Sequence, residues 1–90
     1  MRVVWDSAKA RTNLKKHGVR FPDAEQVLFD PLAATRQDES HLDERRFVTV
    51  GADLRGRIIV VVHSIEGGDR RIISARCATP RERRQYEEGV

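Results

Sequence analysis

Residues 72–87 read as a strand that passes directly into an arginine-rich helix. Thr79 suits the N-cap, Pro80 the first helical position, and Glu82 follows Thr79 by three residues. This is a capping box with a proline where its missing N–H is no loss. Such a junction fixes Arg76, Arg81, Arg83 and Arg84 on rigid elements, with the phenol of Tyr86 one turn further on. A guanidinium presents a planar fork of donors and does not deprotonate, so fixed arginines suit phosphate. The surface reads as one that faces RNA.

Cleaving RNA without a metal takes a base for the 2′-OH, an acid for the leaving 5′-oxygen and cations for the charge of the transition state. His17 and His63 are the histidines outside the acidic segment 38–44, and imidazole can serve as acid or base near neutrality. His17 ends a predicted helix beside Gly18, where the helix dipole favours imidazolium; a capping histidine is the competing reading. His63 ends an apolar run and alternates with Ile59 and Val61, so a packed histidine is its rival. Glu44, beside Arg45 and Arg46, suits a general base or an orienting partner, against a surface ion pair of little worth. The expected catalytic set is His17, Glu44, His63 and Arg76, with Lys16, Arg46 and Arg81 as RNA-phosphate ligands. A salt bridge to Glu82 or Glu44 is the alternative for Arg76. Tyr86 lies about 140° round the helix from Arg81, at about 100° per residue, and reads as packing on the sheet. Trp5 reads as core. His41 with Asp38, Glu39 and Asp43 matches no zinc or calcium spacing, so neither a metal nor a cofactor is expected.

These side chains need elements to hold them. A short strand is predicted over residues 2–5. Asp6 caps a helix over 7–17 that Gly18 ends in the left-handed region. Ala10 and Leu14 are its expected core face. A second helix starts at Pro22, buries Ala24, Val27 and Leu28, and stops at Asp30-Pro31. Residues 32–36 suit a strand, and a polar acidic loop fills 37–44. The β-branched runs 46–51, 57–64 and 70–76, joined by short glycine-containing loops, predict an antiparallel meander. The class is α+β: two N-terminal helices, a meander of about four strands and a C-terminal helix. Helices should cover one face and leave the other partly open.

Ninety residues suit a single domain, 1–90. Apolar run 58–62 is too short to span a membrane, and residues 1–6 lack a signal-like apolar stretch. The lone Cys77 excludes an internal disulfide, so a cytoplasmic setting is expected. Net charge is +3, a modest bias, and its distribution says more. Arginines crowd residues 69–90, and Lys9, Arg11, Lys15 and Lys16 crowd the first helix, which suggests a nucleic acid or an acidic partner.

Three ordered segments resemble the BrnT family of type II toxin–antitoxin toxins. The first is Trp5-Asp6 with Lys9, Asn13, Lys16-His17-Gly18 and Phe21. The second is Glu44-Arg45-Arg46-Phe47 leading to Val50-Gly51, Gly56-Arg57 and Val62-His63. The third is Arg71-Ile72-Ile73-Ser74-Ala75-Arg76 with Ala78, Arg81-Glu82-Arg83 and Tyr86-Glu87. Cys77 departs from the basic or polar residue expected there, and Arg45 from an acid. The resemblance implies a RelE-like fold and a metal-independent ribonuclease that blocks translation. It also implies a BrnA-type ribbon-helix-helix antitoxin as partner, through which alone the pair would reach operator DNA. A non-catalytic module that binds RNA or a partner peptide is the alternative function.

Overall fold

The computed structural model describes residues 1–40 and 44–89. In chain order the elements are β1 (Val3–Val4), α1 (Ser7–His17), α2 (Phe21–Leu28), β2 (Ala34–Asp38), β3 (Arg46–Ala52), β4 (Ile58–Glu66), β5 (Asp69–Cys77) and α3 (Pro80–Glu88). The fold is α+β, as expected. The sheet has five strands in the order β1-β5-β4-β3-β2. The meander β2–β5 is antiparallel, and β1 adds a parallel edge beside Arg70 and Arg71 of β5. His41 and Asp43 of the acidic segment lie outside the described residues.

Local chemistry sets the boundaries. The Asp6 carboxylate accepts from the Lys9 N–H to open α1, and Gly18, at φ 69°, closes it. Asp30 explains why β2 starts at Ala34 rather than at residue 32. Its Oδ1 accepts from the Leu32 N–H and its carbonyl from the Ala33 N–H, which coils residues 30–33 into a turn. In the β3–β4 hairpin, Asp53 accepts from the Arg55 and Arg57 amides and from Arg57 Nε. Asp23 of α2 binds the Arg55 and Arg57 guanidinium groups, at 2.8 and 3.0 Å. Those two arginines thereby tie the hairpin to α2.

Helices α1 and α2 cover one face of the sheet. Its core joins Val19, Phe21, Ala24 and Val27 to Ile59, Val61, Ile72 and Ala75, with Trp5 edge-on to Phe21 at 6.1 Å. Gly51 leaves room for α2 and the turn that follows it. A Cβ there would stand 2.9 Å from Ala33 Cβ and 3.1 Å from Val27 Cγ1. The expected core face of α1 needs correction, because Leu14 is exposed and Asn13 is buried instead. The Asn13 amide donates to the carbonyls of Val19 and Ala75 and accepts from the Ala75 N–H. It thus acts as one more strand residue on the β5 edge beyond the end of β1.

Helix α3 lies over part of the opposite face, so the helices do not share one side. Its Glu82, Gln85 and Tyr86 line a groove of about 350 Å³ with Ala34, Arg36, Val48 and Val50. Thr79 and Glu82 form the expected capping box. The Tyr86 hydroxyl donates to Asp30 Oδ2 at 2.5 Å, which pins α3 to the end of α2 and pushes the phenol up to about 12. Burial pushes the Asp30 carboxyl up, but bonds from Tyr86, Ala52 and Leu32 outweigh it and hold the group below its ordinary value.

Candidate active site

Directly opposed residues of an antiparallel sheet point to the same face. On the face away from α1 and α2, one cross-strand row holds Asp38, Arg46, Ser64 and Arg71. The next holds Arg36, Val48, Val62 and Ser74, and a third Ala34, Val50, Val60 and Arg76. Arg46, Arg71 and Arg76 therefore share a face, over about 13 Å at roughly 3.3 Å per residue.

Strict alternation would not align them, because Arg71 and Arg76 are an odd number of residues apart. A β-bulge does. Val62 pairs with Ser74 but His63 pairs with Ile72, so Ile73 is an extra residue and parity reverses across it. The same reversal sends Arg70, which alternation would group with Arg76, to the helix side. Arg71 thereby joins the arginine face, although it is not among the site residues expected from the sequence.

Each of the three arginines is aimed by a carboxylate. Arg46 Nε donates to Glu44 Oε1 at 2.7 Å, and Arg71 Nη1 to Glu66 Oε2 at 3.3 Å. Arg76 makes a two-pronged bond with Glu82, at 2.8 and 2.9 Å. That bond is the first cause holding Glu82 down at about 2, and it raises Arg76. The salt-bridge alternative for Arg76 is thus what the structure shows, with Glu82 as the partner. A bidentate fork fits phosphate as it fits carboxylate, so an incoming phosphate has Glu82 to compete with.

The other expected residues divide. Lys16 and His17 are exposed and line a groove of about 340 Å³ with Lys9, Ile73 and Ser74. Ser74 belongs to the arginine face, so the groove flanks that face at the β5 edge. Arg81 is exposed on the first turn of α3.

His63 is set apart. It is buried on the helix side, paired with Phe47 and stacked on its ring at 5.9 Å. Burial, then the neighbouring Arg70 charge, push it down to about 4. It is neutral near pH 7 and cannot donate a proton to a ligand on the arginine face. The alternation with Ile59 and Val61 was the signal for its packing. Its stability effect has a definite sign. The folded value lies below the unfolded one of about 6.5, so the native state disfavours the proton. The contribution is complete above pH 6.5 and is lost as pH falls towards 4. At about 1.36 kcal/mol per unit the loss approaches about 3 kcal/mol. Thermal melts across pH 4–7 should show that slope, and His63→Gln should flatten it; equal slopes would contradict the assignment.

A mixed five-stranded sheet, two helices packed on one side and fixed arginines on the other, defines a small α+β protein built to present cations from a rigid surface. The 1.1 Å crystal structure of the Brucella abortus ribonuclease toxin BrnT is similar, with a TM-score of 0.65 and 29% identity over 88% of this chain and 97% of that one. The family model for the ribonuclease toxin BrnT of type II toxin–antitoxin systems matches residues 5–82, and the chain belongs to that family. No curated protein matches the sequence. An antitoxin is therefore the partner of this chain. No helix among the described residues is long and apolar enough to cross a membrane.

Proposed function

We propose that this chain is a metal-independent endoribonuclease whose RNA lies across β3, β4 and β5 on the arginine face. The alignment of Arg46, Arg71 and Arg76 by the bulge at Ile73 carries this reading. The three guanidinium groups hold the phosphate and stabilise the charge that grows on it. Glu44 Oε1 is engaged by Arg46, and in this reading its second oxygen takes the 2′-OH proton. His17, at the far edge beside Ser74, supplies the proton to the leaving oxygen. Glu44 precedes β3 and His17 ends α1 beside Ser74 of β5, so base and acid would approach the phosphate from opposite sides. Lys16 and Arg81 extend the cationic track. His63 has no place in this arrangement.

RNA cleavage would inhibit translation, and the setting would be the cytoplasm. The partner would be a BrnA-type ribbon-helix-helix antitoxin, and operator DNA would be reached only through it. Incubating the purified chain with labelled RNA and a chelator tests the reading. Fragments ending in 2′,3′-cyclic phosphate are expected. Intact RNA with salt-sensitive binding, both free and on translating ribosomes, would instead establish the non-catalytic binding module.

A further inference from the structure

Five arginines of the described sheet and hairpin are half-buried: Arg46, Arg57, Arg70, Arg71 and Arg76. Four are paired with carboxylates. Arg70 has no carboxylate partner among the described residues. It lies over the Phe47 ring at 5.1 Å, and its Nη1 is 3.3 Å from His63 Nδ1. Its partners are thus a ring face and a neutral imidazole, so its charge is left able to take an anion.

The surroundings show what that anion would meet. A guanidinium has only donors, so His63 Nδ1 must accept and the neutral ring carries its proton on Nε2. Nε2 is 2.7 Å from Thr49 Oγ1, which therefore accepts. The Thr49 hydroxyl is then free to donate to Thr35 Oγ1, also at 2.7 Å. The first two bonds of the chain Arg70–His63–Thr49–Thr35 run one way, and in the orientation in which Thr49 donates to Thr35 the Thr35 hydroxyl hydrogen turns to the space beyond it. All four residues line a cavity of about 200 Å³ on the helix side, walled by Met1 and Leu28. The remaining Arg70 N–H groups are donors and the Thr35 hydroxyl can donate, and among the described residues no carboxylate lines the space.

We propose that this cavity is a second anion site, separate from the arginine face, and that it takes a carboxylate side chain of the antitoxin. Apolar walls at Met1 and Leu28 suit the aliphatic stem of a glutamate. A nucleotide is the poorer fit, because the Phe47 ring is already engaged by Arg45 at 5.7 Å, by Arg70 and by His63, which leaves little surface for a base to stack on. The site lies on the sheet face opposite Arg46, Arg71 and Arg76. An antitoxin reaching it would grip the toxin at a place that RNA does not need.

Binding of purified cognate antitoxin to the parent, Arg70→Gln and Thr35→Val chains tests this, with RNA cleavage measured on the same samples. Arg70→Gln should weaken antitoxin binding roughly 30-fold or more, and Thr35→Val several-fold, with cleavage near the parental rate. Parental antitoxin affinity in a folded Arg70→Gln chain overturns the proposal. So does loss of RNA cleavage with antitoxin affinity intact, which would make RNA the occupant. Should Arg70→Gln fail to fold, Thr35→Val decides alone: weakened binding supports the site and parental affinity overturns it. Because the primary readout is antitoxin affinity, the outcome does not depend on whether the arginine face is catalytic.

Discussion

Arg76→Ala is expected to reduce RNA cleavage by roughly 10²- to 10³-fold, the usual cost of removing one preorganised donor from a charge-stabilising site. Three observations set this size. The guanidinium sits in the Val60 row of the sheet, with its backbone held in register. Its fork is oriented in advance by two bonds to Glu82. Third, it shares the face with Arg46 and Arg71, so a phosphate bound there would meet several forks at once. The stability cost should be small by comparison. The Arg76 and Glu82 side chains are 43% and 29% exposed, and solvent screening keeps such a pair to about 1 kcal/mol or less. Glu82 also retains its bond from the Thr79 N–H, so α3 keeps its cap. Circular dichroism and melting separate the two effects: a folded, inactive variant is the expected result, and a folded variant with parental cleavage would remove Arg76 from the site.

Asn13→Ala has the largest expected effect on stability. The amide satisfies the Val19 carbonyl and both backbone groups of Ala75, all in the interior. Truncation orphans those three groups and leaves a void beside Ala75. Each orphaned buried group costs about 1–3 kcal/mol, and partial rescue by water brings the sum to roughly 3–5 kcal/mol. For a domain of this size that is a fall in Tm of about 12–40 °C, at about 4–8 °C per kcal/mol. Asn13→Asp should also fail to restore the parent, since a carboxylate can accept from the Ala75 N–H but cannot donate to the two carbonyls. A melt within a few degrees of the parent would show that the amide is not what closes the β5 edge.

Much of the architecture was legible because it is local. Asp6, Gly18, Thr79, Pro80 and Glu82 act on neighbours within one helical turn, and helices α1 and α3 begin where those signals put them. The β-branched runs carry their period in their own residues. The site was less legible because it depends on pairing. Whether Arg71 faces with Arg76 or against it turns on the extra residue Ile73, and nothing in the run of apolar residues marks that position. Asn13 gave the same difficulty. An asparagine in a lysine-rich helix looks solvated until the β5 edge is placed beside it, 62 residues away in the chain. His63 was readable in part: alternation put it with Ile59 and Val61, and only the three-dimensional fold separated that face from the arginines.

The bulge sorts two adjacent arginines onto opposite faces, and cleavage by Arg71→Gln set beside cleavage by Arg70→Gln in the chelator-containing RNA assay reads out that sorting. Arg71→Gln should lose roughly 10²-fold or more of cleavage, while Arg70→Gln should cleave near the parental rate. The reverse order, with Arg70→Gln inactive and Arg71→Gln active in folded chains, would contradict it and move the active surface to the helix side of the sheet.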